Sequence, residues 1–169
     1  MATTFTVGAG DFMRPYRNCE VKHYPEDASQ SFKMGEPVII GGAGVENKIK
    51  ISGDNPTAAI VGVALADASG VTGAKVPVAL ARADAEFLMR TIDADPVDFS
   101  DIGTARAIQK DATNVIWVVD TADASNDSVV IMEYRNPNTR EIQVAEGDTS
   151  VWAVVRFNPG ATIWAGAGV

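Results

Sequence analysis

Apolar and polar residues follow one another in short runs along most of this chain, and the runs are cut by Gly, Pro, Asn, Asp and Ser. From Gly35 onward, stretches of strand length appear at Pro37–Ile40, Lys48–Ser52, Ala58–Ala66, Lys75–Arg82 and Glu86–Ile92. β-Branched residues suit a pleated, half-buried surface and turn-forming clusters between them mark chain reversals, so the pattern predicts an all-β fold. Lys48-Ile49-Lys50-Ile51 alternates strictly, which places the isoleucines toward a core and the lysines toward water. Ala58–Ala66 is apolar on both faces and predicts a strand covered from both sides, with Gly62 marking a bulge or a close backbone approach. Gly41-Gly42-Ala43-Gly44 reads as a hairpin loop, since it precedes a strand and lacks the Lys-Ser/Thr of a phosphate-binding loop.

The second half repeats the pattern after the acidic, proline-containing stretch from Asp93 to Asp98. Strands are predicted at Thr104–Gln109, Asn114–Thr121, Ser128–Arg135, Glu141–Ala145 and Val151–Phe157. Asn136-Pro137-Asn138-Thr139 and Glu146-Gly147-Asp148 are turn signals that predict a hairpin across each. Ala79–Met89 is the best helical candidate by propensity, although Pro77 and its β-rich neighbours leave it open. The first 33 residues, with Pro15 and Pro25, keep neither period. The expected organisation is an extended N-terminal arm over 1–33, a β-rich module over 34–92, a linker over 93–101 and a second, acidic β-rich module over 102–169 with a Gly-rich tail. These are one or two small β-barrel or β-sandwich modules.

Composition narrows the chemistry. One Cys and one His among 169 residues cannot make an internal disulfide or supply the three or four ligands of a thiolate or imidazole zinc site. Cys19 and His23 share a face only if their segment is helical, which Pro25 opposes, and no Gly-x-Ser-x-Gly elbow occurs, so no catalytic residues are expected. Asp93, Asp95, Asp98 and Asp101 form one carboxylate cluster and Asp120, Asp123 and Asp127 another. The first breaks the calcium-loop pattern at Val97 and Asp98, and Asx residues in turns bind their own backbone, so both read as turn chemistry and no metal or cofactor is expected. An enzyme built on paired carboxylates would need them across a cleft, which spacing alone does not establish.

The net charge of −8 divides unevenly: residues 1–92 carry 9 basic and 10 acidic groups, residues 93–169 carry 5 and 12. An acidic half without a basic, aromatic-interleaved cluster repels phosphate backbones, so no nucleic-acid partner is expected. No apolar run approaches the roughly 20 residues of a membrane-spanning helix. The N-terminus lacks the basic patch and apolar stretch of a secretory signal. Trp117 and Trp152 sit within apolar strands and read as core, whereas Trp164, in the Gly-rich end, either anchors in a partner or folds back on its own chain.

Three segments together carry a resemblance: Phe32-Lys-Met-Gly-Glu-Pro-Val-Ile-Ile-Gly, Ala59-Ile-Val-Gly-Val-Ala-Leu-Ala-Asp-Ala-Ser-Gly, and Lys75-Val-Pro-Val-Ala-Leu-Ala. Their order is similar to the progression in tailed-bacteriophage head decoration, or cement, proteins, over roughly residues 32 to 92. The resemblance implies a structural, non-enzymatic virion protein on the outer surface of the capsid that clamps neighbouring major capsid subunits as a homo-oligomer, a trimer first among them. The N-terminal segment is then expected to run along capsid subunits through Phe5, Phe12, Arg14, Tyr16, Arg17 and Tyr24, with Trp164 as a tail anchor. The alternative is a β-sandwich binding module for carbohydrate or a host-surface ligand, presenting an aromatic platform.

Overall fold

The computed structural model describes residues 2–8, 10–41, 47–92, 95–139, 141–142 and 144–164. The chain is all-β. β1 (Arg14–Arg17) and β2 (Val21–Pro25) are followed by β3 (Pro37–Ile40), β4 (Ile49–Ile51), β5 (Ile60–Ala64), β6 (Lys75–Leu80) and β7 (Glu86–Thr91). A 3-10 turn at Phe99–Asp101 precedes β8 (Ala105–Asp111), β9 (Ile116–Asp120), β10 (Val129–Arg135) and β11 (Trp152–Phe157). Of the expected features, Gly42–Gly44 of the hairpin loop, Asp93 and Ala94 of the linker, and the Gly-rich tail beyond Trp164 lie outside the described residues.

Two sheets result. The larger runs β1-β7-β11-β10-β8-β9 and the smaller β2-β6-β5-β3-β4. Each closes on itself through one parallel contact, β7 with β9 in the larger and Glu26, just past β2, with Ile49 of β4 in the smaller. The parity is forced: a ring of five strands cannot alternate direction all the way round, so one neighbouring pair must run parallel. Closure removes most free sheet edge, and β1 remains as an extra strand laid on the β1-facing edge of β7.

The sheets share one core. Met13, Phe87, Met89, Ile108, Trp117, Val119, Val129, Ile131, Val155 and Phe157 of the larger sheet and its flank pack with Ile60, Val63, Ala79 and Ala81 of the smaller. A second core lies on the other side of β5 and β6, where Phe32, Val38, Ile49, Val61, Ala64, Val76, Val78 and Leu80 meet. β5 is therefore buried along its whole length, as its two-sided apolar pattern predicts. Gly62 shows both of its predicted features: the register with β3 slips beside it, between Val38 and Ile39, and the β6 backbone at Ala79 presses on it. Across the sheets, buried Glu36 pairs with Lys110 of β8.

Several expectations give way. The arm of residues 1–33 is built into both sheets: β1 pairs with β7, β2 with β6, and Met13 and Phe32 are fully buried. Pro15 misled because β1 is an edge strand with a bulge, where proline's missing N–H costs nothing. The expected module boundary also moves: β7, placed with the first module, belongs to the larger sheet, so the sheets divide at Ala81–Ala85. That turn, closed by Ala85 N donating to Arg82 O at 3.0 Å, splits the helical candidate Ala79–Met89 into two strands. The described residues of Glu141–Ala145, 141–142 and 144–145, are not in a strand. β10 pairs directly with β11, so one hairpin with a long connection replaces the two predicted. In β4 only Ile49 enters the core, and Ile51 is exposed, because the strand ends there.

Buried Glu26 organises the loop after β5. Its carboxyl oxygens accept from Ser69 N (2.8 Å), Ser69 Oγ (3.0 Å) and Gly70 N (2.6 Å), and the residue is fully buried. Glu26→Ala strands those donors, so it is expected to cost about 3 kcal/mol. Hydrogen exchange should accelerate first at Ser69 and Gly70; protection there equal to the parent protein would refute the assignment.

Candidate functional site

Strand alternation places Glu86, Leu88 and Arg90 of β7 on the face opposite the shared core, and Trp152, Val154 and Arg156 of β11 beside them. Two bulges enrich that face. The β1–β7 register slips between Pro15 and Arg17, so consecutive residues Tyr16 and Arg17 both reach it. The β10–β11 register slips between Ile131 and Glu133, which does the same for Met132 and Glu133. Leu88, Trp152 and Val154, with Tyr16 and Met132 packed on them, form the apolar base.

Five of the chain's eight arginines converge here. Arg14 and Arg90 lie 4.6 and 5.3 Å from the Trp152 ring centre, and Arg17 and Arg135 lie 4.5 and 5.1 Å from that of Tyr16. Such cation–π contacts contribute about 0.5–2 kcal/mol, more as they lose water. Glu86, almost fully buried, accepts from Arg17 at 3.1 Å and Arg156 at 2.8 Å. Glu133 accepts from Arg135 Nε at 2.7 Å. Beneath them Arg90, 1% exposed, donates to Thr6 O at 2.7 Å and faces Asp11 at 3.6 Å. Set against Glu86, Glu133 and Asp11, the five guanidiniums leave a positive excess on a chain whose net charge is −8. Between the rings and guanidiniums is a cavity of about 320 Å³ lined by Arg14, Pro15, Tyr16, Leu88, Arg135 and Trp152.

No protein-family model matches this chain, and no curated protein matches it either.

The structure divides the six residues expected to contact a capsid. Arg14, Tyr16 and Arg17 meet on this face. Phe5 packs against the shared core, Phe12 against Val7, Ile116 and Val118, and Tyr24 against the smaller sheet's core. Trp164 is folded onto its own chain: its Nε1 donates to Val61 O at 3.3 Å and Arg82 lies 5.1 Å from its ring centre. With Lys22, His23, Tyr24 and Lys75 it borders a second cleft of about 600 Å³. Trp117 and Trp152 are 2% and 3% exposed, so neither furnishes the broad exposed platform that a carbohydrate module uses.

The other sequence candidates fall into structural roles. Cys19 donates to the carbonyls of Arg17 (3.3 Å) and Glu86 (3.2 Å), and burial pushes its thiol pKa up, away from the thiolate a nucleophile needs. His23 lies on β2 of the other sheet. Asp95, Asp98, Asp120 and Asp123 of the two carboxylate clusters hold turns. Asp98 caps Ser100 N at 2.8 Å, Asp120 accepts from Ala122 N and Asp123 N at 3.1 Å each, and Asp95 ties down Thr121 N and Ala122 N. Asp101 instead pairs with Arg106 and lies 3.5 Å from the Tyr134 hydroxyl, whose pKa is raised by burial and by that carboxylate.

Sequence reasoning missed Leu88, Arg90, Arg135, Trp152 and Arg156 as members of one surface. For β7 and β11 the signal is present as charges that fall on one parity of otherwise apolar strands, Glu86 and Arg90 flanking Leu88 and Arg156 following Trp152 and Val154.

Proposed function

We propose that this chain is a non-catalytic structural protein of a tailed-phage head, bound to the outside of the shell and clamping neighbouring capsid subunits. The observation that carries the reading is the arginine–aromatic face. Arg, Tyr and Trp are the residues in which binding energy concentrates at protein interfaces, and here they gather on an acidic molecule around an apolar base. The resemblance of residues 32–92 to head decoration proteins supplies the capsid as the partner. The docking side does not follow the two halves of the chain, since Arg14 and Arg17 of the first meet Arg135 and Arg156 of the more acidic second on one surface; the docking side is this face.

The action needs no chemical step. A protein that binds the assembled shell and not its separated subunits stabilises the shell by mass action, by about 2.7 kcal/mol per site at a hundredfold excess over Kd. The test uses the whole chain, because β1 and β2, within its first 25 residues, belong to the sheets. Heads of the phage that encodes it, assembled without it, should take up purified protein to a saturating copy number and then withstand higher temperature before releasing DNA. Heads that bind none of it would sink the reading.

A further inference from the structure

The smaller sheet is open along part of its circumference. β2 stands at the end of its strand order and has a ladder with β6 alone. β4 reaches it only past the last residue of the strand, where Glu26 bridges Ile49 and Asp27 N donates to Ile49 O at 2.9 Å. Before that point the two chains part, and the cleft of about 600 Å³ opens there, lined by Lys22, His23, Tyr24 and Pro25 of β2 and by Ile40 and Asn47 beside β3 and β4. Successive side chains of a strand point to opposite faces, so four consecutive residues border one cleft only where the strand's edge itself is exposed.

The hydrogen-bond pattern tells which backbone groups that edge offers. Glu20 O accepts from Leu80 N at 2.9 Å and Glu26 N donates to Ala74 O at 2.8 Å. The even-numbered residues of β2 therefore bond inward to β6, which turns the N–H and C=O of Val21 and His23 outward. The register puts His23 and Pro25 on one face, with Lys75 opposite Pro25, and Lys22 and Tyr24 on the other. His23 and Lys75 enter no ion pair among the described residues, while Lys22 faces Glu20 at 3.4 Å. On a chain of net charge −8, no carboxylate lines this cleft among the described residues. Tyr24, Ile40 and Trp164 supply an apolar side, packed on the smaller sheet's core.

We propose that the open edge of β2 takes up an extended peptide of another protein as an added strand, one in which apolar and acidic residues alternate. Its backbone pairs with Val21 and His23, its acidic side chains meet His23 and Lys75, and its apolar ones lie against Tyr24, Ile40 and Trp164. Strand addition of this kind draws affinity from the main chain and specificity from alternate side chains. An acidic saccharide finds the same cations but has no two-residue repeat to match the edge.

A fluorescein-labelled, end-blocked peptide alternating Val and Glu tests this when titrated with the full chain. Anisotropy should rise to saturation, and the amide resonances of Val21 and His23 should shift. Lys75→Glu should weaken binding about tenfold or more by setting like charges together. His23→Pro removes an outward N–H that β6 does not use, so it should weaken binding about tenfold and leave Tm unchanged, while His23→Ala keeps most of the affinity. The peptide with methylated amide nitrogens should not bind. No rise in anisotropy at about 1 mM protein overturns the proposal, as does equal binding of the methylated peptide or of a Val–Lys peptide, or a cleft that takes an acidic oligosaccharide and not the peptide. The contact does not rest on the head reading: heads that ignore the protein remove that reading alone, and a protein that saturates heads but binds no such peptide removes this contact alone.

Discussion

Gly62→Ala is expected to destabilise the protein by about 3 kcal/mol or more, one methyl group on a residue in the centre of the smaller sheet. The added Cβ would stand 2.8 Å from the Ala79 carbonyl carbon and 2.9 Å from Val78 Cγ1, with the Ala79 oxygen closer still. These are mostly backbone atoms of β6, fixed by the ladder that pairs Gly62 with Leu80, Val63 with Ala79 and Ala64 with Val78. No flexible side-chain end can swing aside. Moving β6 would disturb both cores, because Val78 and Leu80 face one and Ala79 and Ala81 the other. In urea the midpoint should fall with the slope retained, the sign of lost native stability. Gly53→Ala provides the contrast, since nothing lies within 4 Å of a Cβ there; its effect should stay within about 1 kcal/mol. Equal losses for both would show that crowding is not what keeps Gly62.

Removing the first 25 residues should abolish cooperative unfolding. The segment contributes Met13, 1% exposed in the shared core, and both β1 and β2. It also supplies two partners of buried Arg90, Thr6 O and Asp11, and Thr3 N donates to Asp148 at 2.6 Å. Breaking a buried ion pair by removing one partner costs roughly 3–5 kcal/mol, and a lost core side chain of this size about 2–5 kcal/mol. With two sheet edges opened besides, the sum meets the 5–15 kcal/mol that typically holds a domain together. Calorimetry of the truncated chain should show no sharp transition, and near-UV circular dichroism should collapse. A truncated protein that melts as sharply as the parent would restore the free arm that the sequence pattern predicts.

The strands from Pro37 to Thr91 and the β8–β11 set were legible because alternation and turn residues act locally. The positions of Gly62 and of buried Trp117 and Trp152 followed from the same local rules. What was not legible depends on partners distant in sequence. Arg14-Pro15-Tyr16-Arg17 carries no period of its own and becomes a strand only because β7, 69 residues further along at the Arg17–Glu86 pair, offers an edge. Glu141–Ala145 has strand composition, yet Trp152 is already paired with Arg135, and the sheet has no place for it. The arginine–aromatic face was half visible: the N-terminal segment offers Arg14, Tyr16 and Arg17, but Arg135 and Trp152 come to them through the β7–β11–β10 neighbourhood, which no local spacing encodes.

The order of strands also sets a timetable for synthesis. Residues 21–80 contain every strand of the smaller sheet, so it can close while the rest of the chain is still being made. β7 then emerges with its main partner absent, for Thr91 and Val151, which share a hydrogen bond, are 60 residues apart. At about 5–20 residues per second that gap lasts roughly 3–12 s. During it Phe87 and Met89 have no β11 to cover them, and such a strand is prone to pair with a neighbouring nascent chain. β1, made first and waiting beside the finished small sheet, is the segment on hand to occupy one edge of β7 as it leaves the ribosome.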